Sequence, residues 1–243
     1  AEPIQVERAF WCPKLGNAET EWEDAFASDP AAGVVAVADG ASEGIFCRVW
    51  SGLLARRFVE DKPAFRDPAE FPKWLAAARA GWRQEIDYPN LRWSQQNKVT
   101  AVGAAATLLG LRVGPTGPDG RRPWHAAAVG DACLFWVRGN RLLATFPLAD
   151  AGQLGSAPFL VRSSPTAGVV PPLLANGRCE PGDLFLLATD AVAGRLFRDA
   201  DWERYAALTD DDWRAQVDAD RRDGRMVNDD CTLVAVRVPP PPG

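Results

Sequence analysis

Apolar runs of strand length recur along the chain, and an aspartate stands at the end of several of them. VVAVA is followed by Asp39, LFLLAT is followed by Asp190, and Asp229 stands just before CTLVAVRV. Apolar and β-branched runs bounded by turn residues are typical of buried strands. One aspartate at such an end is an ordinary turn or cap residue. The same position also suits a carboxylate that holds a ligand at the rim of a sheet.

Helical patterns are separated from the strands instead of alternating with them. Helical spacing of apolar residues predicts one helix over Glu43 to Glu60. A capping box that begins at Asp67 predicts a second helix, which continues towards Ile86. Acidic first turns predict two more helices, over 199–208 and 209–222. Segregation of this kind is typical of the α+β class, with helices packed on the outer faces of antiparallel sheets.

Strand pairing can also be predicted from turn residues. The segment 25–39 predicts a hairpin of two strands around the turn PAAG. The segment 125–146 predicts an antiparallel meander of three strands, the last two joined by a turn at Gly139 and Asn140. The stretch from 147 to 182 carries no regular pattern, and the sequence contains no internal repeat.

Length and composition predict one domain and limit its partners. The 243 residues are 47% hydrophobic, which suffices for a single large core over residues 1–238. Residues 239–243 form a Pro-rich tail or linker. A net charge of −5 provides no positive field, so we expect neither nucleic acid nor an anionic membrane surface as a partner. No apolar run approaches the roughly 20 residues of a membrane span.

Histidine, cysteine and serine usage narrows the chemistry. His125 is the only histidine, which excludes a metal site built from several histidines. Five cysteines without C-x-x-C spacing are typical of buried free thiols, and we expect a reducing cytoplasm. Ser163 and Ser164 lack the G-x-S-x-G context of a serine hydrolase. Any metal chemistry therefore depends on carboxylates.

Six carboxylates share a position at predicted strand ends: Glu23, Asp24, Asp39, Asp131, Asp190 and Asp229. Carboxylates gathered at one rim of packed sheets raise each other's pKa unless cations neutralise them. Hard divalent ions such as Mg²⁺ and Mn²⁺ prefer such an all-oxygen environment. Gly40, directly after Asp39, would let the main chain approach an ion closely. Together these residues predict a cation site.

Five segments resemble, in order, the metal-dependent protein serine/threonine phosphatases of the protein phosphatase 2C (PPM) type. EDAF at 23–26 is similar to the family's first acidic pair, and VVAVADG at 34–40 is similar to its Asp-Gly strand end. AVGDACLFWVRGNRL at 128–142 resembles its VGDS hairpin. PGDLFLLATDAV at 181–192 and NDDCTLVAVRV at 228–238 resemble its last two metal-binding strands. The segments span nearly the whole chain, which therefore resembles a divergent bacterial-type member.

The resemblance implies the fold and the metal ligands. The fold would be a β-sandwich of two antiparallel sheets flanked by helices on both outer faces. Asp39 would bridge two Mn²⁺ or Mg²⁺ ions, with the carbonyl of Gly40 on one of them. Asp190 and Asp229 would complete the shell of the other ion. Asp131 could help bind a third, weaker ion.

The resemblance also implies the activity. Glu23 and Asp24 would orient metal-bound water, and two metal ions would acidify a shared water that attacks phosphorus in line. The substrate would be a phosphorylated protein, and the phosphatase would reverse the action of a Ser/Thr kinase. The phosphatase would be a monomer. A phosphatase that acts on small phosphorylated molecules would carry the same residues.

Several positions depart from the family's pattern. Members usually carry an arginine that grips the substrate phosphate four residues before the first glutamate, where this chain has Glu19; Arg8 and Arg48 are candidates to replace it. Three loop residues also differ, namely Ala41 for a histidine, Ala191 for a glycine and Asp230 for an asparagine. These departures support an alternative function, a catalytically weak or inactive domain that binds a phosphorylated partner or acts in regulation.

Overall fold

The computed structural model describes residues 2–41, 44–155 and 158–240. Within them, the strands are β1 (Gln5–Cys12), β2 (Ala25–Asp29), β3 (Val34–Ala38), β4 (Ala105–Ala106), β5 (Leu108–Val113), β6 (Arg122–Val129), β7 (Cys133–Arg138), β8 (Arg141–Phe146), β9 (Val161–Arg162), β10 (Leu173–Cys179), β11 (Leu184–Ala188) and β12 (Cys231–Arg237). The α-helices are α1 (Cys47–Asp61), α2 (Glu70–Glu85), α3 (Trp93–Ala101), α4 (Asp190–Leu196), α5 (Arg204–Ala207) and α6 (Asp210–Arg222).

Ten of these strands form two antiparallel five-stranded sheets. Sheet 1 has the order β1-β12-β11-β7-β8, and sheet 2 has the order β10-β6-β5-β3-β2. The short strands β4 and β9 pair with each other. Strands from both sheets contribute side chains to one shared apolar core. The two sheets therefore pack face to face as a sandwich.

The central strands are buried on both faces, and alternation along each strand divides its side chains between two cores. On β3, Val35 and Val37 face the core between the sheets, whereas Val34 and Ala36 face the helices. The strands β11 and β12 of sheet 1 divide their side chains in the same way. A strand with two apolar faces has no polar alternation, which explains the continuous apolar runs in the sequence.

Helices cover the outer face of each sheet. The helix α1 packs on sheet 2 and α2 packs on α1, whereas α4, α5 and α6 pack on sheet 1. Trp213 of α6 stacks on Phe10 of β1 with ring centroids 5.1 Å apart. On the other side, Phe58 of α1 lies directly over Gly110 of β5. The α+β sandwich with helices on both outer faces is thereby confirmed.

The predicted meander is wrong in its pairing, although its three strands are present. Strand β6 pairs with β5 and β10 in sheet 2, whereas β7 pairs with β8 and β11 in sheet 1. The chain crosses between the sheets at Gly130, which has a φ of 104°. A Cβ at Gly130 would lie 2.6 Å from Thr107 Cγ2, so the crossing requires glycine.

Helix starts differ in detail from the prediction. The first helix begins at Cys47, and Glu43 lies outside the described residues. The second begins at Glu70 and not at Asp67. Asp67 Oδ1 accepts a hydrogen bond from Ala69 N at 2.8 Å, so Asp67 caps the turn before the helix. The hairpin of β2 and β3 is confirmed. None of the helices in the described part of the chain is long and apolar enough for a membrane crossing.

Candidate metal centre

The predicted carboxylates lie at the ends of neighbouring strands in both sheets. In sheet 2, Ala25 pairs with Ala38, so Asp24 immediately before β2 and Asp39 immediately after β3 share one rim. In sheet 1, Asp190 follows β11 and Asp229 precedes β12, and these two strands pair along their length. The antiparallel pairing therefore brings residues that are distant in sequence to common strand ends.

Asp24 connects the two sheets at this rim. Its Oδ2 accepts hydrogen bonds from the Thr189 hydroxyl at 2.9 Å and from the Thr232 hydroxyl at 2.8 Å, both on sheet 1. Its Oδ1 is buried and receives no hydrogen bond from the described residues. Burial raises the pKa of Asp24 to about 8, since the two threonine hydroxyls only partly offset the loss of solvent and the charge of Asp230 raises it further.

Asp39 lies against Asp24 and faces the other two carboxylates. Burial raises the pKa of Asp39 well above its usual range, and the charges of Asp24, Asp190 and Asp229 raise it further. The backbone around Asp39 is fixed by Thr107: Asp39 N donates to Thr107 Oγ1 at 3.0 Å, and Thr107 N donates to Asp39 O at 2.8 Å. These negative groups destabilise one another when each is ionised.

Asp190 and Asp131 form a second part of the same carboxylate cluster. Burial raises the pKa of Asp190 to about 6, and the charges of Asp131 and Asp229 contribute. Asp131 lies in the crossing between β6 and β7 and is only 4% exposed, and burial raises its pKa also. Asp131 Oδ1 is buried without a hydrogen-bond partner in the described residues.

Glu23 and Gly40 are held close together. A Cβ at Gly40 would lie 2.6 Å from Glu23 O, so this contact requires glycine. Glu23 N donates to Asp230 Oδ2 at 2.7 Å, and Lys14 N donates to Asp230 Oδ1 at 2.8 Å. Asp230, which stands where the family has asparagine, therefore accepts two backbone hydrogen bonds that fix the segment carrying Glu23.

The chemistry of this donor set fits a hard divalent cation. All of the groups are oxygen donors, and the ion pairs of the nearby Arg195 and Arg225 go to Asp199, Asp220 and Asp223 and not to Asp190 or Asp229. Two carboxylates in contact, as Asp24 and Asp39 are, need a proton or a cation between them, and the buried Asp131 Oδ1 has no hydrogen-bond partner in the described residues. The carboxylates nevertheless lie farther apart than the ligands of a bound ion do. Within the described residues, no three His, Cys, Asp or Glu side chains are close enough to enclose an ion.

Two cavities open on this rim. A cavity of about 430 Å³ is lined by Asp190 and Asp229 together with Arg198 and Arg225. Ala191, which replaces the family's glycine, also lines it. A second cavity, of about 300 Å³, is lined by a different set that includes the other acidic strand end: Asn17, Thr20, Glu21, Glu23 and Arg48.

The two arginines predicted as candidates for binding the substrate phosphate lie in different surroundings. Arg48 lines the cavity that contains Glu23, and its Nη1 donates to Thr20 O. Arg8 donates instead to Leu208 O, on the outer, helix-covered side of sheet 1. Arg8 lines neither of the two cavities, so its position does not support the predicted role. Glu19 is exposed and pairs with Arg214 at 3.1 Å.

Sequence reasoning missed the residues that support the carboxylates. The three threonines that bond to Asp24 and Asp39 are Thr107, Thr189 and Thr232. Thr189 directly precedes Asp190, and Thr232 follows Asp230 by two residues, so a buried threonine beside each strand-end acid was the available signal. Arg198 was missed because only the fold brings it to the cavity.

No protein-family model and no curated protein sequence matches the chain. Solved structures do match it. The photosystem II phosphatase PBCP is 18% identical, with 97% of this chain and 98% of that chain covered and a TM-score of 0.64. The catalytic domain of the serine/threonine phosphatase PstP, in complex with two manganese ions, is 18% identical, with 98% and 99% covered and a TM-score of 0.61.

A third match comes from Pseudomonas aeruginosa. PppA, described as a key regulatory component of T6SS, is 21% identical, with 96% of this chain and 98% of that chain covered and a TM-score of 0.59. The likeness extends over nearly the full length of each of these proteins, and at this level of identity it concerns the fold. The chain therefore has the fold of the bacterial serine/threonine phosphatases of the protein phosphatase 2C type.

Proposed function

We propose that this protein is a metal-dependent phosphoprotein phosphatase that hydrolyses serine and threonine phosphomonoesters. The observation that carries the proposal is the contact of Asp39 with Asp24, together with the charges of Asp190 and Asp229, which each raise the pKa of Asp39. A fold shared with the Mn²⁺-bound PstP domain supports the same conclusion.

The proposal gives each carboxylate a task. Asp39, the carbonyl of Gly40, Asp190 and Asp229 would hold two Mn²⁺ or Mg²⁺ ions, and Asp131 would contribute to a third. When bound, the ions supply a nucleophilic water near neutral pH and neutralise the phosphate charge.

Other residues of the chain hold and orient these groups. Asp24 fixes the spacing of the two sheets through its threonine bonds and lies against Asp39, and Glu23 is held beside Gly40. Arg48, in the same cavity as Glu23, is the remaining candidate for orienting the phosphate. We expect the protein to act as a monomer in the cytoplasm on a phosphorylated protein, where it reverses the action of a Ser/Thr kinase.

The test is phosphate release from a phosphopeptide with and without Mn²⁺. The proposal predicts Mn²⁺-dependent release by the wild type and a loss of at least about a hundredfold in Asp39→Asn and Asp190→Asn, since each removes a charged ligand. Asp61→Asn, at the exposed end of α1, is the matched control and should retain full activity. Activity that survives both site substitutions would contradict a dinuclear mechanism.

A specific observation favours a second function, a phosphatase-like domain that binds a phosphorylated partner with little or no turnover. Glu19 occupies the place of the phosphate-gripping arginine and is itself paired with Arg214. Phosphopeptide binding by a protein that takes up Mn²⁺ without releasing phosphate would favour this alternative. Mn²⁺-dependent turnover would exclude it.

A further inference from the structure

Arg198 is an exposed arginine without an acidic partner in the cavity of about 430 Å³ that contains Asp190 and Asp229. Its Nη1 donates to Arg225 O at 3.3 Å, and it forms no ion pair with any carboxylate of the described residues. The adjacent acid, Asp199, is already bound by Arg195 and Arg204. The guanidinium of Arg198 therefore has unused donors that face a site of opposite charge.

The other arginine in this cavity is already neutralised. Arg225 forms ion pairs with Asp220 at 2.6 Å and with Asp223 at 2.8 Å. Among the residues described as lining the cavity, Arg198 is thus the cation that remains available to a ligand. Leu154, Met226 and Val227 also line the cavity, and an ion pair from an exposed guanidinium to a carboxylate gives a modest preference for that carboxylate.

The distance along α4 indicates what Arg198 can reach. It lies in the turn two residues after the end of α4, and the six steps from Asp190 to Leu196 alone span roughly 9 Å at a helical rise of about 1.5 Å per residue. An extended peptide covers the same distance in three to four residues at about 3.3 Å each. Arg198 is therefore placed to contact a group a few residues from a phosphate bound at Asp190.

We propose that Arg198 is a specificity-determining residue that binds an acidic side chain flanking the scissile phosphate, so that acidic phosphopeptides are the preferred substrate class. The inference rests on the proposed function, because it places the scissile phosphate at Asp190 and Asp229. The net charge of −5 opposes the approach of an acidic peptide, so a preference for such a peptide requires a local cation. A negatively charged protein repels an acidic peptide at long range, and a local unpaired cation compensates for that repulsion.

The test compares two phosphopeptides that differ only by Glu or Gln at the positions two to four residues from the phosphoserine. For the wild type we expect kcat/KM to favour the Glu peptide by about fivefold, mainly through KM. Arg198→Ala should reduce this ratio to about one, and Arg198→Lys should restore part of it. Arg66→Ala removes an exposed arginine from the opposite layer and should leave the ratio unchanged.

A merely structural role for Arg198 would lower the rates for both peptides together and would leave their ratio intact, which would overturn the proposal. Binding of the two fluorescently labelled peptides, measured by anisotropy in Mn²⁺ and in EDTA, distinguishes a failure of the peptide preference from a failure of the phosphatase function. A wild-type preference for the Glu peptide that is lost in Arg198→Ala supports the inference even if no phosphate is released. Equal binding and equal turnover of both peptides by an active wild type would refute the inference and leave the phosphatase function standing.

Discussion

The hydroxyl of Thr232 donates a hydrogen bond of 2.8 Å to Asp24 Oδ2, across 208 residues of sequence. Thr189 bonds to the same oxygen at 2.9 Å, and Thr189 Oγ1 also accepts a hydrogen bond from Thr232 N at 3.0 Å. Asp24 belongs to the rim of sheet 2, whereas both threonines belong to sheet 1. The bond network therefore sets the spacing of the two strand ends that carry the candidate ligands.

Replacing Thr232 by valine should destabilise the fold. The substitution keeps the β-branched shape but removes one of two hydroxyl donors from a buried carboxylate, which costs about 1–3 kcal/mol of unfolding free energy. Urea unfolding of the wild type and of Thr232→Val measures the change. Thr145→Val on β8, away from the carboxylates, should cost much less. An unchanged urea midpoint in Thr232→Val would show that the bond contributes nothing.

Adding a methyl group at Gly110 should disturb the packing of α1 on sheet 2. A Cβ at this position would lie 2.1 Å from Phe58 Cζ, so Phe58 or the helix must move. Overpacking of this kind costs about 1–3 kcal/mol. Gly110→Ala should therefore lower the denaturation temperature, whereas Gly168→Ala, where no atom lies within 4 Å of the added Cβ, should leave it nearly unchanged. Equal temperatures for the two variants would contradict this packing.

Asp220 should make stability depend on pH. It is buried, and its carboxylate accepts hydrogen bonds from Arg195, Gln216 and Arg225. Burial alone would raise the pKa of Asp220, but the hydrogen bonds from Arg225 and Gln216 and the charge of Arg195 lower it below its usual range. A lowered pKa gives stability that is complete above the unfolded value of about 3.9 and is lost as the pH falls through the folded value.

Asp220→Asn should therefore reduce the unfolding free energy by about 1–3 kcal/mol at pH 7, because Arg195 and Arg225 each lose one of their two carboxylate partners. The difference between wild type and variant should shrink as the pH falls below about 4. Urea unfolding at several pH values measures it. Asp211→Asn, at an exposed position of the same helix, is the control. A difference that stays constant from pH 7 to pH 3 would rule out the ionised Asp220 as its source.

The strand ends were predictable because burial on two faces gives continuous apolar runs, and β3, β11 and β12 are such strands. Secondary-structure elements that lack a periodic pattern of apolar residues were not predicted from the sequence. The helix α3 buries only Val99, α4 has seven residues, and β10 is an edge strand with mostly exposed side chains. Local sequence offers no signal for such elements, which tertiary packing alone stabilises.

Sheet membership could not be predicted from turn chemistry. The residues Gly130 and Asp131 resemble a hairpin turn, yet they carry the chain from sheet 2 to sheet 1, because Gly130 packs against Thr107. The candidate ligands could be predicted as strand-end acids, whereas their threonine partners depend on which strands are neighbours. The cavity with Arg198 likewise depends on how α4 and the loop after α6 meet.

Manganese binding to the wild type and to Asp39→Asn, measured by isothermal titration calorimetry, decides whether these strand ends form a metal centre. We expect the wild type to bind two Mn²⁺ ions per chain, as the PstP domain of the same fold does. Asp39→Asn should weaken the binding by at least about tenfold, because the proposed bridging charge is lost. A wild type that binds no Mn²⁺ at millimolar concentration, or an Asp39→Asn variant that binds Mn²⁺ as the wild type does, would contradict a metal centre at these strand ends.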